Sequence, residues 1–548
     1  MTFVEYKQQL LEYLNHEKEI HEEEINTNKS LSDNEKIEAG LLIKSVIVEK
    51  ENCLEYILSV SENETKMRPG DKVTLIGKNN HKISCTIIEN GMLFIILKAN
   101  ERLYIGNTYR LEVDEYITLD PLIKLIKKIE LGLPGSDFIE ILAGLKQPEK
   151  EGFLPIENKI AFEDNLNESQ RLSCESIVKC PSFFCIQGPP GTGKTEVLST
   201  IAKIFSADNC QVLVLAKTHQ AVNNALNSIS CKIPNAYVYK IGENLKSNDL
   251  LDHVKNFQTY DYYIQDQKKR NGGKTDIIGM TLQSAIINIG LRHKSFLPYI
   301  ILIDEASQIP LVEAACIGTF GAATIVFIGD EKQMPPIYNE KQINDQLSKS
   351  IFEYLCEYYP AFKQMLNITY RMNEEITDYV SSRFYEHKLI VSDVSKNRHL
   401  ILNAQNEDQR INYLLSSSKS ILNINVSKEM HEDENDEEAL FISNLVREAI
   451  KDGLSPKDIA IITPFRRQVR CIREYVIKSI SCELPLIDTV ERLQGQDVDL
   501  IIVSCTTTSP EYFRRNETFL TSPNRWNVMI SRAKKKVIIV GTNYSSYF

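Results

Sequence analysis

The chain lacks long apolar stretches. No run reaches the roughly 18 apolar residues that a membrane-spanning helix needs, and the N-terminus carries acidic residues where a signal peptide needs an apolar run. The chain has 12 cysteines but no C-x-x-C pair, so neither a zinc ribbon nor a four-cysteine iron–sulfur cluster is indicated. We therefore expect a cytoplasmic protein with mostly buried thiols and no membrane partner.

A surplus of positive charge is also missing. The chain has 63 Lys and Arg residues against 74 Asp and Glu residues, which gives a net charge of −11. This balance argues against a protein that coats nucleic acid by bulk attraction, so any nucleic-acid site is expected to be a local groove. With 548 residues and no evident tandem repeat, the chain is expected to form several domains.

The most informative stretch is GPPGTGKT, which matches the phosphate-binding pattern G-x-x-x-x-G-K-[ST] at every position. An apolar run before it predicts a buried strand, and a helix is predicted after it. In that setting Lys194 neutralises the β- and γ-phosphates of ATP, and the Thr195 hydroxyl ligates Mg²⁺. The alternative, a glycine turn, needs neither the Lys-Thr pair nor this spacing. The candidate ATP-binding residues here are Gly188, Pro189, Pro190, Gly191, Thr192, Gly193, Lys194 and Thr195.

Two acidic residues follow another apolar run, at 299–303. Asp304 stands where a phosphate-loop enzyme places the carboxylate that organises Mg²⁺, and Glu305 beside it can polarise the attacking water. The alternative for this pair is a cap at the end of a strand. Gln333, which follows the apolar run 324–328, is a candidate to face the γ-phosphate.

Two arginines downstream can supply the positive charge that phosphoryl transfer requires. Arg371 lies in the segment TYRM, and Arg532 lies in the segment NVMISRAK. Either arginine alone would more often be a surface residue, but both follow a complete nucleotide site. No second phosphate loop is present, so the sequence predicts one nucleotide site between two parallel-sheet units.

The predicted fold class is α/β, with five consecutive regions. Helical periodicity over 1–45 indicates a stalk, and short β-like runs over 46–118 indicate a small accessory β-barrel. Residues 119–160 are expected to form a stalk helix and a linker. Residues 161–340 are expected to form a first parallel-sheet domain with a helical insertion at about 232–276, and residues 341–548 a second.

Eight segments in order resemble the motif set of superfamily 1B helicases, most closely that of the nonsense-mediated mRNA decay helicase and senataxin. They are LNESQ at 166–170, GPPGTGKT, DEASQ, GDEKQMPP, TYRM, TPF at 463–465, TVERLQGQDVD and NVMISRAK. The resemblance covers about residues 166–541. It implies two RecA-like domains that close on ATP and step 5′-to-3′ along single-stranded RNA or DNA.

The resemblance also implies individual roles. Gln170 would contact adenine, unless it only completes a capping box with Asn167. Gln333 would sense the γ-phosphate, Arg371 and Arg532 would reach it from the second domain, and Gln494 with Gly495 would couple the nucleotide to the strand. The residues expected to contact the nucleic-acid backbone are Thr218, His219, Thr281, Thr463 and Thr489, and Phe465 would stack on a base.

Each of these nucleic-acid candidates has a simpler reading, as a turn threonine or, for Phe465, a core residue. Two positions depart from the family. Asp497 replaces the usual glutamate, which puts a ribose contact there in doubt, and Lys217 replaces a frequent proline and could add a phosphate contact.

Two other functions share these motifs. One is a nucleic-acid-stimulated ATPase that remodels complexes without unwinding. The other is a nucleotide-gated switch that binds a protein partner through its N-terminal helices or barrel.

Overall fold

The structure is a computed structural model of the full chain. It describes residues 1–548 except for 53, 62, 64, 66, 68–70, 92–93, 115–118, 134, 153–164, 235, 244–246, 248, 270–275, 291–296, 337–345, 404, 491–496, 543 and 545–548. Among the described helices, none combines the length and the apolar character that a membrane span would require.

Three of the four described helices that precede the first sheet domain pack on it, whereas the short helix α2 has no buried residue. Helix α1 begins with a capping box, in which the Thr2 side chain and the Glu5 side chain satisfy each other's backbone N–H groups. Leu10 and Leu14 are fully buried on its inner face and join the same core as α3, α4 and the sheet beneath them. The helices are α1 (Phe3–Ser30), α2 (Asp33–Glu38), α3 (Asp120–Lys128) and α4 (Ser136–Leu142).

Six antiparallel strands form a closed barrel in the order β1-β2-β5-β4-β3-β6. Every second residue of β2 faces the interior, where Tyr56 and Leu58 are fully buried. The predicted small barrel is confirmed, although its first strand begins at Leu42 instead of 46. The strands are β1 (Leu42–Asn52), β2 (Glu55–Val60), β3 (Lys72–Ile76), β4 (Lys82–Asn90), β5 (Phe94–Ala99) and β6 (Thr108–Val113).

The first RecA-like domain is built on an eight-stranded sheet, order β10-β9-β11-β8-β12-β13-β7-β14, in which every pairing is parallel. Its central strands are buried on both faces, as expected for a parallel sheet covered by helices. The elements are α5 (Glu168–Val178), β7 (Phe183–Gln187), α6 (Lys194–Ala207), β8 (Val212–Ala216), α7 (His219–Lys232), β9 (Tyr237–Ile241), β10 (Lys255–Phe257), α8 (Tyr260–Lys269), β11 (Asp276–Thr281), α9 (Leu282–Ala285), β12 (Ile300–Ile303), α10 (Leu311–Ala314), β13 (Thr324–Gly329), α11 (Ile351–Tyr358) and β14 (Lys363–Met365).

The stretch predicted as a helical insertion, at about 232–276, is only partly helical in its described residues. Strands β9 and β10 extend the sheet there, and α8 is the one helix described between α7 and β11. The reason is aromatic packing: the Tyr239 ring lies 5.6 Å from that of Phe257 and 5.5 Å from that of Tyr263. Tyrosine and phenylalanine favour strands, and this cluster outweighs the polar composition of the stretch.

The predicted boundary between the two sheet domains, after residue 340, is too early. Strand β14 pairs with β7 of the first sheet, and Ile351 and Leu355 of α11 are fully buried in the first domain's core. Strand β7 has an open edge that β14 covers, so the chain completes the first sheet before it crosses to the second domain.

The second RecA-like domain has a five-stranded parallel sheet, order β17-β21-β20-β18-β19, and a separate parallel pair, β15 and β16. The apolar runs 459–462, 500–503 and 537–540, which are typical of buried strands, lie in β18, β20 and β21. The elements are β15 (Ile368–Thr369), α12 (Glu374–Phe384), β16 (Ile390–Val391), α13 (Asp393–Lys396), α14 (Gln409–Ser416), β17 (Ile421–Ile424), α15 (Asp436–Lys451), β18 (Ile459–Ile462), α16 (Arg466–Ser479), β19 (Leu486–Asp488), β20 (Val498–Ser504), α17 (Pro510–Arg515), α18 (Glu517–Leu520), α19 (Pro523–Ser531) and β21 (Ala533–Val540).

Candidate nucleotide site between the two sheets

The phosphate loop joins β7 to α6 and depends on its glycines. Gly191 and Gly193 have φ angles of +72° and +80°, a region that side-chain-bearing residues rarely adopt. A Cβ at Gly191 would lie 2.5 Å from the Cβ of Arg371, and one at Gly193 would lie 2.6 Å from the Gln170 amide nitrogen. The loop therefore needs glycine both for its backbone and for the close approach of the second domain.

A cleft lies between the loop and the second domain. It collects the predicted catalytic and magnesium-binding side chains from both halves of the chain. These lining residues are Lys194, Thr195, Asp304, Glu305, Gln333, Arg371 and Arg532. The carboxyl ends of β7, β12 and β13 supply the side chains from the first domain, because parallel strands present those ends at one edge of the sheet.

Lys194 is the first residue of α6, and its ammonium donates a hydrogen bond to the Gly188 carbonyl within the loop. Burial lowers the pKa of Lys194, while the nearby carboxylates of Asp330 and Asp304 oppose that change. The amine is thus held in the loop where a bound triphosphate would lie.

The two acidic residues after β12 have different environments. Asp304 is 8% exposed, and burial raises the pKa of its carboxyl group. Burial, reinforced by the charge of Asp304, raises the pKa of Glu305 to about 7. Glu305 has a left-handed backbone, with φ of 50°, and its carboxylate accepts a hydrogen bond of 2.8 Å from the Gln308 amide. Glu305 is therefore oriented and tuned as a proton acceptor.

The donor set of the cleft fits a magnesium ion. The Thr195 hydroxyl and the Asp304 carboxylate both line the cleft, and Mg²⁺ binds oxygen ligands of these kinds together with phosphate oxygens.

Asp497, which replaces the glutamate usual in the family, forms ion pairs with both arginines. The Asp497 carboxylate lies 2.6 Å from Nη2 of Arg371 and 3.9 Å from Nη1 of Arg532. Burial lowers the pKa of Arg371, and burial together with the charge of Arg371 lowers the pKa of Arg532 to about 10. Asp497 offsets the repulsion between two cations that face one cleft.

Gln333 is held by a carboxylate that sequence reasoning missed. Its amide nitrogen donates a 2.6 Å hydrogen bond to Oδ2 of Asp330, the residue that follows β13. The signal was available, because Asp330 follows a buried strand as Asp304 does.

Gln170 takes the capping role in this structure. Its side-chain oxygen accepts from the Asn167 backbone, its amide nitrogen donates to the Thr192 carbonyl, and it is 3% exposed. The adenine contact stays a prediction. Gln494 and Gly495 lie outside the described residues.

The nucleic-acid candidates of the first domain follow neighbouring strands. Thr218 follows β8 and Thr281 ends β11, and each hydroxyl caps a helix by accepting from a backbone N–H at 3.2 or 3.3 Å. His219 begins α7 and is partly exposed. Lys217, considered for a phosphate contact, forms an ion pair of 2.6 Å with Glu313. Both threonines lie at the carboxyl ends of neighbouring strands, but their contacts with nucleic acid stay predictions.

The candidates of the second domain lie at the carboxyl ends of β18 and β19. Thr463 is fully buried, and its hydroxyl lies 2.9 Å from that of Thr506. Thr489 is 9% exposed. The Phe465 ring packs 5.7 Å from that of Tyr512 and 5.9 Å from that of Phe519. This packing favours the core reading of Phe465 over a base-stacking role.

The fold and the cleft together define a phosphate-loop ATPase with two RecA-like domains. Two different family models, both described as an AAA domain, match residues 165–351 and 347–544. An uncharacterized ATP-dependent helicase of Methanocaldococcus jannaschii is 27% identical, with 87% of this chain and 83% of that protein covered. A DNA replication ATP-dependent helicase/nuclease of Schizosaccharomyces pombe is 28% identical over 83% of this chain, and its human counterpart is 25% identical over 87%.

The chain spans only 33% of the S. pombe protein and 48% of the human one. A crystal structure of an Arterivirus nonstructural protein 10 (helicase) is 12% identical, with a TM-score of 0.42, and the match covers 91% of this chain and 79% of that one. Both matching models are AAA domains and the relatives are named ATP-dependent helicases, and together they support an ATP-dependent enzyme of the superfamily 1 helicases. Its place in the branch of the decay helicase and senataxin stays a prediction.

Proposed function

We propose that this chain is an ATP- and Mg²⁺-dependent motor that moves along single-stranded nucleic acid and unwinds duplexes. One observation carries the proposal: groups from both RecA-like domains meet in a single cleft. Lys194 and Glu305 come from the first domain, and Arg371 and Arg532 come from the second. Hydrolysis of ATP in such a cleft changes the interactions that hold the two domains together.

The chain's own residues account for the chemistry. Lys194 and the two arginines surround the position of the γ-phosphate with positive charge, which stabilises the transition state of phosphoryl transfer. Glu305 orients the attacking water and accepts its proton. Thr195 and Asp304 would hold the Mg²⁺ ion, which neutralises charge that develops on the phosphate oxygens.

Movement follows from the shared cleft. The γ-phosphate is the anion that the second domain's arginines face, so its loss after hydrolysis weakens the contact between the domains. The candidate strand-binding positions lie at the carboxyl edge of both sheets, on β8 and β11 in one and on β18 and β19 in the other. A strand that crosses both edges would be moved when the domains separate and close.

The proposal includes a direction of movement, a type of strand, a partner and a location. The 5′-to-3′ direction comes from the motif resemblance. The replication helicase/nucleases are named for DNA, which is consistent with a DNA track here, but RNA is equally compatible with contacts to the backbone. A protein partner on the N-terminal helices or barrel, and a cytoplasmic location, belong to the same proposal.

The first test is steady-state ATP hydrolysis by the purified chain, alone and with single-stranded RNA or DNA of matched length. We expect one or both strands to raise the rate. Glu305→Gln should lower it at least about 10²-fold while ATP still binds, because the amide cannot accept the proton. A rate that neither strand changes would contradict the motor and support the nucleotide-gated switch.

Unwinding and direction need a second assay. Duplexes with a single-stranded tail at either the 5′ or the 3′ end distinguish the outcomes, with Glu305→Gln as the inactive control. We expect strand separation only from the 5′ tail. Stimulated hydrolysis without separation of either duplex would favour the remodelling ATPase.

A further inference from the structure

A chain of buried hydrogen bonds links the second domain to Gln333. The Asn527 amide donates to the Tyr385 hydroxyl at 2.7 Å, and that hydroxyl donates to Oδ2 of Asp330 at 2.6 Å. The same Oδ2 atom accepts from the Gln333 amide at 2.6 Å. Asp330 and Gln333 belong to the first domain, whereas Tyr385 and Asn527 belong to the second.

We propose that Tyr385 is a positioning residue for ATP hydrolysis, which orients Gln333 through Asp330 only while the second domain is docked. The proposal rests on the proposed function, because it assigns a role in the same cleft. It adds a device that makes the γ-phosphate site of the first domain depend on the position of the second.

Burial gives these hydrogen bonds their importance. Tyr385, Asp330 and Asn527 are 3%, 2% and 0% exposed, so water cannot replace a missing partner at low cost. Burial also raises the pKa of Tyr385, which keeps its hydroxyl protonated as a donor. A carboxylate only accepts hydrogen bonds, so the Gln333 NH₂ group must face Asp330. One N–H and the side-chain oxygen of Gln333 then remain for the cleft.

The neighbouring contacts explain why the second domain controls this arrangement. Asn527 also donates to the Lys332 carbonyl at 2.7 Å, and Asn524 donates to the Glu331 carbonyl at 2.9 Å and to the Gln333 carbonyl. Both asparagines lie on α19, and Arg532 directly follows that helix. The helix that precedes Arg532 thus also holds the backbone of residues 331–333. Through Tyr385 and Asp330, it holds the Gln333 side chain as well.

Separation of the domains would remove the contacts from α19 and the hydrogen bond from Tyr385 together. When α19 and Tyr385 move away, Asp330 loses the hydrogen bond from Tyr385, and the segment 331–333 loses three backbone contacts. Gln333 would then be free to leave its hydrolysis-competent orientation. Hydrolysis is therefore confined to the closed state.

The test is Tyr385→Phe, which keeps the buried ring and removes only the hydroxyl. We expect kcat of strand-stimulated ATP hydrolysis to fall about tenfold, with the KM for ATP changed less than about twofold, because the lost interaction acts on the transition state. Tyr263→Phe is the matched control, since the Tyr263 hydroxyl donates to the Asp276 carboxylate at 2.6 Å outside the cleft. It should leave kcat unchanged.

The deciding measurement is the double variant with Gln333→Ala. If Tyr385 acts through Gln333, Tyr385→Phe causes no further loss of kcat in the Gln333→Ala background. Losses that multiply, or an equal loss in Tyr263→Phe, would overturn the inference and leave Tyr385 a structural residue. If Tyr385→Phe does not fold, Asn527→Ala replaces it and must show the same dependence on Gln333.

The two proposals fail in distinguishable ways. An active parent protein whose kcat is unchanged by Tyr385→Phe overturns this inference alone. A parent protein with no strand-stimulated hydrolysis overturns the proposed function and this inference together.

Discussion

A buried ionisable residue can have a shifted pKa that no sequence motif indicates. Glu438, on α15, is fully buried, and its Oε2 atom accepts hydrogen bonds from the Ser504 hydroxyl at 2.7 Å and the Thr506 backbone at 2.9 Å. Burial raises the pKa of Glu438 from 4.5 to about 7. The carboxyl group lies away from the ATP cleft, so its titration affects stability and not the phosphoryl transfer.

The sign of this effect follows from proton uptake. Between pH 4.5 and about 7 the folded chain holds a proton on Glu438 that the unfolded chain has lost. The stabilisation is fully present below pH 4.5 and is lost as the pH rises through about 7. The Glu438→Gln variant has no group that titrates at this position, so it lacks this pH-dependent stabilisation. We expect the melting temperature of the parent protein to decrease between pH 5.5 and 8 relative to that of the variant, by the equivalent of about 2 kcal/mol.

Differential scanning calorimetry at the two pH values measures this difference. Parallel pH dependence in the two proteins would show that another group is responsible.

At the scale of elements, the N-terminal helix is part of the first domain's core and not a free stalk. Its inner leucines are buried against α3, α4 and the sheet domain, although its outer face is charged and solvated. Helical spacing of the apolar residues predicted the helix, but it contained no information on which surface the helix would cover.

Leu14→Ala tests this packing. Removing a fully buried leucine leaves a cavity, so we expect the first domain to lose about 2–4 kcal/mol of stability, seen as a lower melting temperature. Val4→Ala on the same helix is the control, because Val4 is 72% exposed and should have little effect. Equal melting temperatures for Leu14→Ala and the parent protein would contradict the assigned packing.

At the scale of the whole molecule, the active cleft exists only because two domains meet. Lys194 and Glu305 come from the first domain and Arg532 comes from the second, so hydrolysis requires groups from both domains. We expect Arg532→Ala to lower kcat about 10³-fold while ATP affinity changes only a few-fold, as for an arginine that acts on the transition state.

Equilibrium binding of a fluorescent ATP analogue and steady-state hydrolysis separate these two quantities. Arg515→Ala is the control, because the Arg515 side chain is 69% exposed and pairs with Glu511 at the surface. A parallel loss of binding and turnover in Arg532→Ala would instead make Arg532 a ground-state ligand of the nucleotide.

Features that depend on residues close together in the sequence could be predicted, whereas features that depend on contacts between distant residues could not. The phosphate loop, the acids after β12 and the apolar runs that form β7, β12 and β13 are local patterns, and they were predicted. Strands β9 and β10 were missed, because their pairing depends on contacts among aromatic residues brought together by the fold. The late domain boundary was missed for a similar reason, since β14 pairs with a strand far back in the chain.

The sequence by itself determined the chemistry that is available: a phosphate loop, a pair of carboxylates and two arginines, each recognisable from its neighbours. Only the tertiary structure decided which of these groups meet. It pairs Asp497 with Arg371, and it brings Tyr385 to Asp330 across 55 residues and to Asn527 across 142. Such contacts depend on how the two sheets pack together, and no local spacing in the chain specifies that packing.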